Sequence, residues 1–392
     1  MLAMETREVI KREIQTILNA GGPRGSQQTE KVRSLLRQGK GLDGNVASER
    51  EQRHLAIFDR ALRHGIKHMA DRDRAQFDTF QKERREMSDT DGGAFPGSPN
   101  SFLVPALFEQ QVWQMMRQTD RLFDPDVVTF ITSDRGGPMS VPMLDDTSSE
   151  ASVIAQGQQT TQREPETLGQ LSFDTATTWE SGLWKVSRSL MADSAVDIPD
   201  LFASTSATRF RRGIGKSFVT TLLNAATLGA VANGSASNDG IGGPVGTDDL
   251  HALLDAVDPE YLSSPKARWL MSFKTYQSLL LQIKDKQGRP ILREMYNEVG
   301  EPMLLGRPIA LCPAMASVST TFSSPPQTVI PIAVGDLSRF VVRVAGPMRI
   351  VRMDERFAEV FQVGFESFVR ADAGLMVTAG SDSPVKYLTT LA

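Results

Sequence analysis

Residues 197–229 read DIPDLFASTSATRFRRGIGKSFVTTLLNAATLG. Ile198, Phe202, Phe210, Ile214, Phe218 and Leu222 stand in steps of four or twice four, which places them on one stripe of an α-helix. Asp197 can accept the free N–H groups of a first turn, and Pro199 falls where a missing N–H costs little. Gly229, followed by the turn-rich NGSASNDGIGGPVG, is the expected stop. Within the helix, Ser204, Thr205, Ser206 and Thr208 have poor helix propensity, and Gly213 and Gly215 each cost about 1 kcal/mol relative to Ala. The spacing predicts a long buried helix with a soft middle, a candidate bending element.

Towards the C-terminus, Thr247 is placed to cap DDLHALLDAV, and ARWLMSFKTYQSLLLQIKDKQGRPIL supplies a buried strand, a helix and a turn. After PMLLGRPIALCPAM and VIPIAVGD come the strands FVVRV, MRIVRM and the alternating VFQVGFESFVR, whose Phe361, Val363, Phe365 and Val369 share one face. Towards the N-terminus, Leu171 to Val186 reads as strand, while Asp145 to Gly169 is a polar excursion of the kind that serves binding. Val127–Thr132 and Met139–Met143 flank DRGGP and read as a hairpin. Phe102 to Phe123 begins extended and turns amphipathic after Pro105. Ser88 to Asn100, SDTDGGAFPGSPN, is the strongest linker. Before it, one helix is expected from Ser48 to about Met87, with Leu55, Phe58, Leu62, Ile66, Met69, Phe77 and Phe80 in its stripe. That stripe suits pairing with a neighbouring helix or packing on the chain's own body. Two shorter helices are expected at Glu5–Leu18 and Thr29–Leu36. The chain is α+β, and strands and helices do not alternate regularly.

With 392 residues, 40% hydrophobic and 23% charged, the composition is that of a soluble protein with room for two or three lobes. Neither a membrane-spanning run nor a signal peptide is visible, so folding in a cytoplasm is expected. A single cysteine, Cys312, excludes an intrachain disulfide. Residues 1–90 hold 18 Lys and Arg against 14 Asp and Glu, leaving 25 against 33 for the rest of the chain's 43 and 47. The acidic body has no general attraction for nucleic acid, and contact with phosphate would be local.

No catalytic arrangement emerges. Arg212–Ser217, RGIGKS, ends like a phosphate-binding loop, but Phe210 stands where that motif needs Gly. His64 and His68 are four apart without a third ligand nearby, so no metal site is assigned. Apolar neighbours around Cys312 suit a buried thiol rather than a nucleophile. No cofactor is expected, and the chain reads as no enzyme.

Four pieces together, WLMSFKTYQSLLLQIKDKQGRPIL, LLGRPIALCPAM, IAVGDLSRFVVRVAGPMRIVR and FESFVRADAGLMV, resemble the major capsid proteins of tailed bacteriophages, the Hong Kong 97-type family. GGAFPGSPNSFLVPALF resembles the family's junction between a scaffolding-like segment and the mature N-terminal arm. The resemblance implies a helical scaffolding-like segment at 1–95 and an N-terminal arm at 96–126. It implies the first part of a peripheral lobe at 127–246, with an extended β-hairpin loop at about 137–177 and the spine helix at 197–229. An axial lobe at 247–343, return strands of the peripheral lobe at 344–370 and an axial-lobe tail at 371–392 complete the architecture.

The implied function is self-assembly, as hexamers and pentamers, into the icosahedral shell of a tailed double-stranded DNA phage or prophage, through a precursor that expands. Portal, maturation protease and non-specifically contacted DNA are the implied partners, and the virion capsid is the implied location. Some family members link subunits through a loop Lys, but Asp145–Gly169 contains none. Arg163, Glu164 and Glu166 are therefore the candidates for polar contacts between subunits, and Gly213 and Gly215 for flexibility of the spine helix. Two alternatives are an encapsulin-type nanocompartment, for which the long N-terminal segment is superfluous, and a cytoplasmic enzyme with a helical regulatory domain.

Overall fold

The computed structural model describes residues 49–87, 101–145, 167–193, 198–232, 245–283, 292, 295–297, 300–318, 328–377 and 382–391. The short helices expected at Glu5–Leu18 and Thr29–Leu36, the caps Ser48 and Asp197, and the Ser88–Asn100 linker lie outside them.

The helix expected from Ser48 to Met87 is two helices, α1 (Glu49–His64) and α2 (Asp71–Met87), joined by a 3-10 turn at Ile66–His68. Gly65 makes the break, with φ of 81°, in the left-handed region that glycine enters without cost. Arg352 Nη1 then donates at 2.8 Å to the Leu62 carbonyl, which a continuing helix would have used itself, and at 2.9 Å to the Ala61 carbonyl, which also accepts from Gly65 N–H. The two helices run back along each other, as the contacts Arg60–Asp73 and His54–Phe80 require. His64 and His68 consequently sit on different elements.

Next come β1 (Ser101–Leu103), α3 (Ala106–Thr119), β2 (Thr129–Ser133), β3 (Met139–Asp145), β4 (Thr167–Phe173), β5 (Thr178–Glu180), β6 (Trp184–Ser187) and α4 (Arg188–Asp193). The long helix, α5, runs Ile198–Ala225. It stops short of Gly229, which lies instead in β7 (Thr227–Val231). A Cβ at Gly229 would come within 2.6 Å of Leu253, so the glycine serves close packing rather than a helix stop. The chain continues through α6 (Thr247–Asp255), α7 (Pro259–Ser263), β8 (Ala267–Met271), α8 (Phe273–Gln282), β9 (Met295–Tyr296), β10 (Pro302–Leu304) and β11 (Arg307–Leu311). It ends with β12 (Thr328–Asp336), β13 (Phe340–Ala345), β14 (Arg349–Met353), β15 (Gln362–Leu375) and β16 (Val385–Leu391). Thr247 is the first residue of α6, not its cap; Asp249 reaches back to the Gly246 N–H at 2.9 Å.

Two seven-stranded sheets organise these elements. In the first, the 14-residue β15 pairs antiparallel with β14, β13, β5 and β6, while β1 adds to β14 and β2 runs parallel to β13. The second has the order β7-β16-β12-β8-β11-β10-β9. Its central strands are apolar on both faces because both are covered. Ala333 and Leu270 join the core shared with α5, whereas Ile332, Val334, Trp269 and Met271 join a second core with Leu250 and Leu253 of α6 and Leu279 of α8.

The hairpin expected between Val127–Thr132 and Met139–Met143 does not form. β2 spends its ladder on β13, and β3 pairs with β4 from Met139↔Phe173 to Asp145↔Thr167. Phe361 also departs from expectation. With φ of 56° it precedes β15 and is exposed, while Val363, Phe365 and Val369 are buried.

Candidate assembly surfaces

Every apolar residue of the predicted α5 stripe is buried, from Ile198 to Leu222. At 28 residues the helix is about 42 Å long, and it packs on α3, β15 and α1. Its exposed hydroxyls are satisfied locally: Thr205 bonds the Leu201 carbonyl, Thr208 that of Ser204 and Thr220 that of Lys216, each at 2.9 Å. Buried Ser206 pairs with the Ser367 hydroxyl of β15 at 3.1 Å.

Gly213 and Gly215 have different environments. A Cβ at Gly213 would meet only the Trp179 ring, at an ordinary 3.7 Å, whereas one at Gly215 would lie 2.9 Å from Asp120 Oδ2. Gly215 is therefore the gap through which a buried carboxylate approaches the helix. Gly213→Ala is expected to raise stability by about 0.5–1 kcal/mol through helix propensity. Gly215→Ala should lower it by about 1–2 kcal/mol, because overpacking against Asp120 exceeds that gain. Thermal unfolding of the two single variants measures the contrast.

Asp120 is 1% exposed. One carboxylate oxygen accepts from Leu122 N at 3.1 Å and caps the 3-10 turn Arg121–Phe123. The other accepts from the Cys312 thiol at 3.6 Å. Burial pushes Asp120 up from 3.8 to about 6, against the lowering effect of the Leu122 N–H, the thiol and nearby Arg211. Burial, with the Asp120 charge beside it, pushes Cys312 well up, so the sulfur is held as an inert thiol.

A second polar centre lies where β3 and β4 leave the first sheet. Arg343 of β13 is fully buried; its Nη2 donates to the Gly137 carbonyl at 2.9 Å and its guanidinium lies 5.5 Å from the Phe173 ring centroid. Ala176 N closes the root by donating to Gly136 O at 2.8 Å. Leu171 of β4 packs against Gly374 of β15, where a Cβ would come within 2.9 Å of it. Asp372, the cross-strand partner of Arg343, approaches Arg343 Nε at 3.4 Å, and burial raises its pKa against the pull of that guanidinium. Beyond the stem, residues 146–166 lie outside the described residues, and with them Arg163, Glu164 and Glu166.

Arg343, Arg352 and Asp120 escape a reading based on spacing. The available signal is a charge inside an apolar run, one in FVVRV and two in MRIVRM, where alternation puts Arg352 on the buried face with Ile350. Among the described residues, no cluster of three or more His, Cys, Asp or Glu is placed to hold a metal, and no helix is long and apolar enough to cross a membrane.

Residues 100–380, more than half of the chain, match the model of the phage capsid family. The chain belongs to that family. The match begins just before β1, so α1 and α2 precede it. Among solved structures, the capsid of a native GTA particle aligns with a TM-score of 0.50 at 18% identity, covering 68% of this chain and 89% of that one. At that identity the likeness is one of fold. A structure from Mycobacterium phage Adephagia aligns with a TM-score of 0.43 at 14% identity, covering 67% of this chain and 88% of that one. The mature capsid of bacteriophage PhiM1 gives 0.42 at 11%, covering 67% and 85%. A comparison with curated proteins finds no match. The chain is a capsid protein with an α+β fold shared with phage capsids.

Proposed function

We propose that copies of this capsid protein assemble as hexamers and pentamers into the icosahedral shell of a tailed double-stranded DNA phage or prophage, by way of a precursor shell that expands. The observation that carries this reading is the family match over residues 100–380, which takes in the first sheet, the second sheet apart from β16, α5 and the β3–β4 stem. In a Hong Kong 97-type reading, the sheet around β15 with α5 is the peripheral lobe, and the sheet around β12 with α6 and α8 is the axial lobe. β1 belongs to the N-terminal arm, and the β3–β4 stem carries the extended loop to a neighbouring subunit. Arg163, Glu164 and Glu166 supply polar contacts there, without covalent linkage through a loop Lys. Portal and maturation protease are the further protein partners, packaged DNA is contacted locally and without sequence preference, and assembly takes place in the host cytoplasm.

Residues 1–95 serve as the scaffolding-like segment in this reading, with one refinement. α1 and α2 bury Ile57, Phe58, Ala61, Leu62, Phe77 and Phe80 in the same core as α5, which favours their rearrangement over their removal.

Electron microscopy of the purified full-length protein tests the proposal. Closed shells or capsomer sheets are expected, and monodisperse monomers overturn it. Mass spectrometry of particle-derived chains is expected to find residues 49–87 retained. Chains that all begin near Asn100 would refute the refinement.

A further inference from the structure

Arg343 is tied to two masters. One guanidinium nitrogen, Nη2, holds the hairpin root through Gly137 O, and the cation faces the Phe173 ring at the end of β4. Among the described residues, the remaining nitrogens, Nε and Nη1, are buried without a hydrogen-bond partner, as is Asp372 Oδ1 directly across the β13–β15 ladder. Nε and Oδ1 are only 3.4 Å apart, so charge attraction is present while the hydrogen bond is missing. Buried donors and a buried acceptor lying side by side and unsatisfied mark an arrangement that a small movement would improve. A guanidinium fork and a carboxylate make two parallel hydrogen bonds when they meet in plane. Arg343 forgoes that geometry while it reaches for Gly137.

We propose that Arg343 is a positioning residue with two settings: here it clamps the root of the β3–β4 hairpin, and in the other it pairs in two-pronged fashion with Asp372 and frees the hairpin to change its angle to the first sheet. Arg370 confines the movement to the root. Its guanidinium nitrogens occupy the space where a Cβ on Gly136 or Gly346 would stand, at 2.7 and 3.0 Å. The bearing of the clamp on shell geometry rests on the reading of β3–β4 as the stem of the intersubunit loop, whereas the clamp itself does not.

Hydrogen exchange of the full-length protein, read by mass spectrometry, separates the possibilities. Arg343→Met removes the clamp, and the stem amides, including Ala176 N–H, are expected to exchange about tenfold faster, the scale of one lost hydrogen bond to a charged group. Asp372→Asn keeps the shape but weakens the competing setting, so the same amides should exchange more slowly than in the wild type. Opposite signs support the clamp. A pair that merely stabilises the sheet would speed exchange in both variants, along β13 and β15 as well as in the stem, and that result overturns it. Should Arg343→Met fail to fold, Phe173→Leu takes its place, with faster exchange in the stem and unchanged exchange in β13 as the expected result. Particle diameter is read in parallel. Opposite exchange effects with shells of unaltered size and curvature would uphold the clamp and overturn its link to the intersubunit loop.

Discussion

Replacing Phe58 by Ala lowers the stability of the full chain by about 3–5 kcal/mol, the cost of emptying a large aromatic site in a packed core. Phe58 is fully buried, and its ring centroid lies 5.3 Å from that of Phe108, which in turn stacks 6.4 Å from Phe202 on α5. The cavity would thus open between α1, α3 and α5. Two polar clasps prevent the helices from simply backing away. Arg352 holds the C-terminus of α1, and the Gln81 amide of α2 bonds both the N–H and the carbonyl of Leu103, at 2.9 Å each, as a neighbouring strand would. Chemical denaturation of Phe58→Ala beside Leu55→Ala, a half-buried neighbour on the same helix, measures the difference; the second substitution should cost much less. If α1 and α2 were a detachable appendage, Phe58→Ala would leave the main unfolding transition in place.

Asp120→Asn is expected to stabilise the protein at neutral pH by up to about 3 kcal/mol, the equivalent of a rise from 3.8 to about 6. The sign follows from proton linkage. Below 3.8 the carboxyl is protonated in both folded and unfolded chains and burial carries no charge penalty. As pH rises through about 6 the folded chain must hold a buried carboxylate, and that stability is lost. Asn carries no charge at either pH and can still accept from Leu122 N–H. Subtracting the variant's denaturation free energy from that of the wild type, at steps from pH 7 down to pH 4, isolates the group. Asp372 and Glu366, whose pKa values are also raised, cancel in the difference. A flat difference across that range would show that Asp120 does not titrate there.

Much of the fold is legible in the sequence where one periodicity rules. The α5 stripe, the amphipathic run after Pro105 and the strand-then-helix order of RWLMSFKTYQSLLL all appear as read. Reading fails where a distant residue decides. Gly65 sits inside an unbroken apolar pattern, and the helix end it makes is closed by Arg352, nearly three hundred residues later. The 127–143 hairpin fails likewise, because β13 claims β2 before β3 can. Gly229 looks like a stop by its neighbours, yet its role comes from Leu253 and Lys386 closing on the backbone. The glycine candidates show a similar division. Gly213 and Gly215 are adjacent in composition and unlike in surroundings, since one faces Trp179 and the other a carboxylate.

The arrangement of β15 has a mechanical consequence. Antiparallel hydrogen bonds stand perpendicular to the strands they join. Tension applied along β15 therefore loads its bonds to β14, β13, β5 and β6 in shear, many together, whereas a pull across the sheet would open them one after another. The strand acts as a tie bar: strong along its length and weak sideways, it gives the subunit a stiff axis and a compliant one.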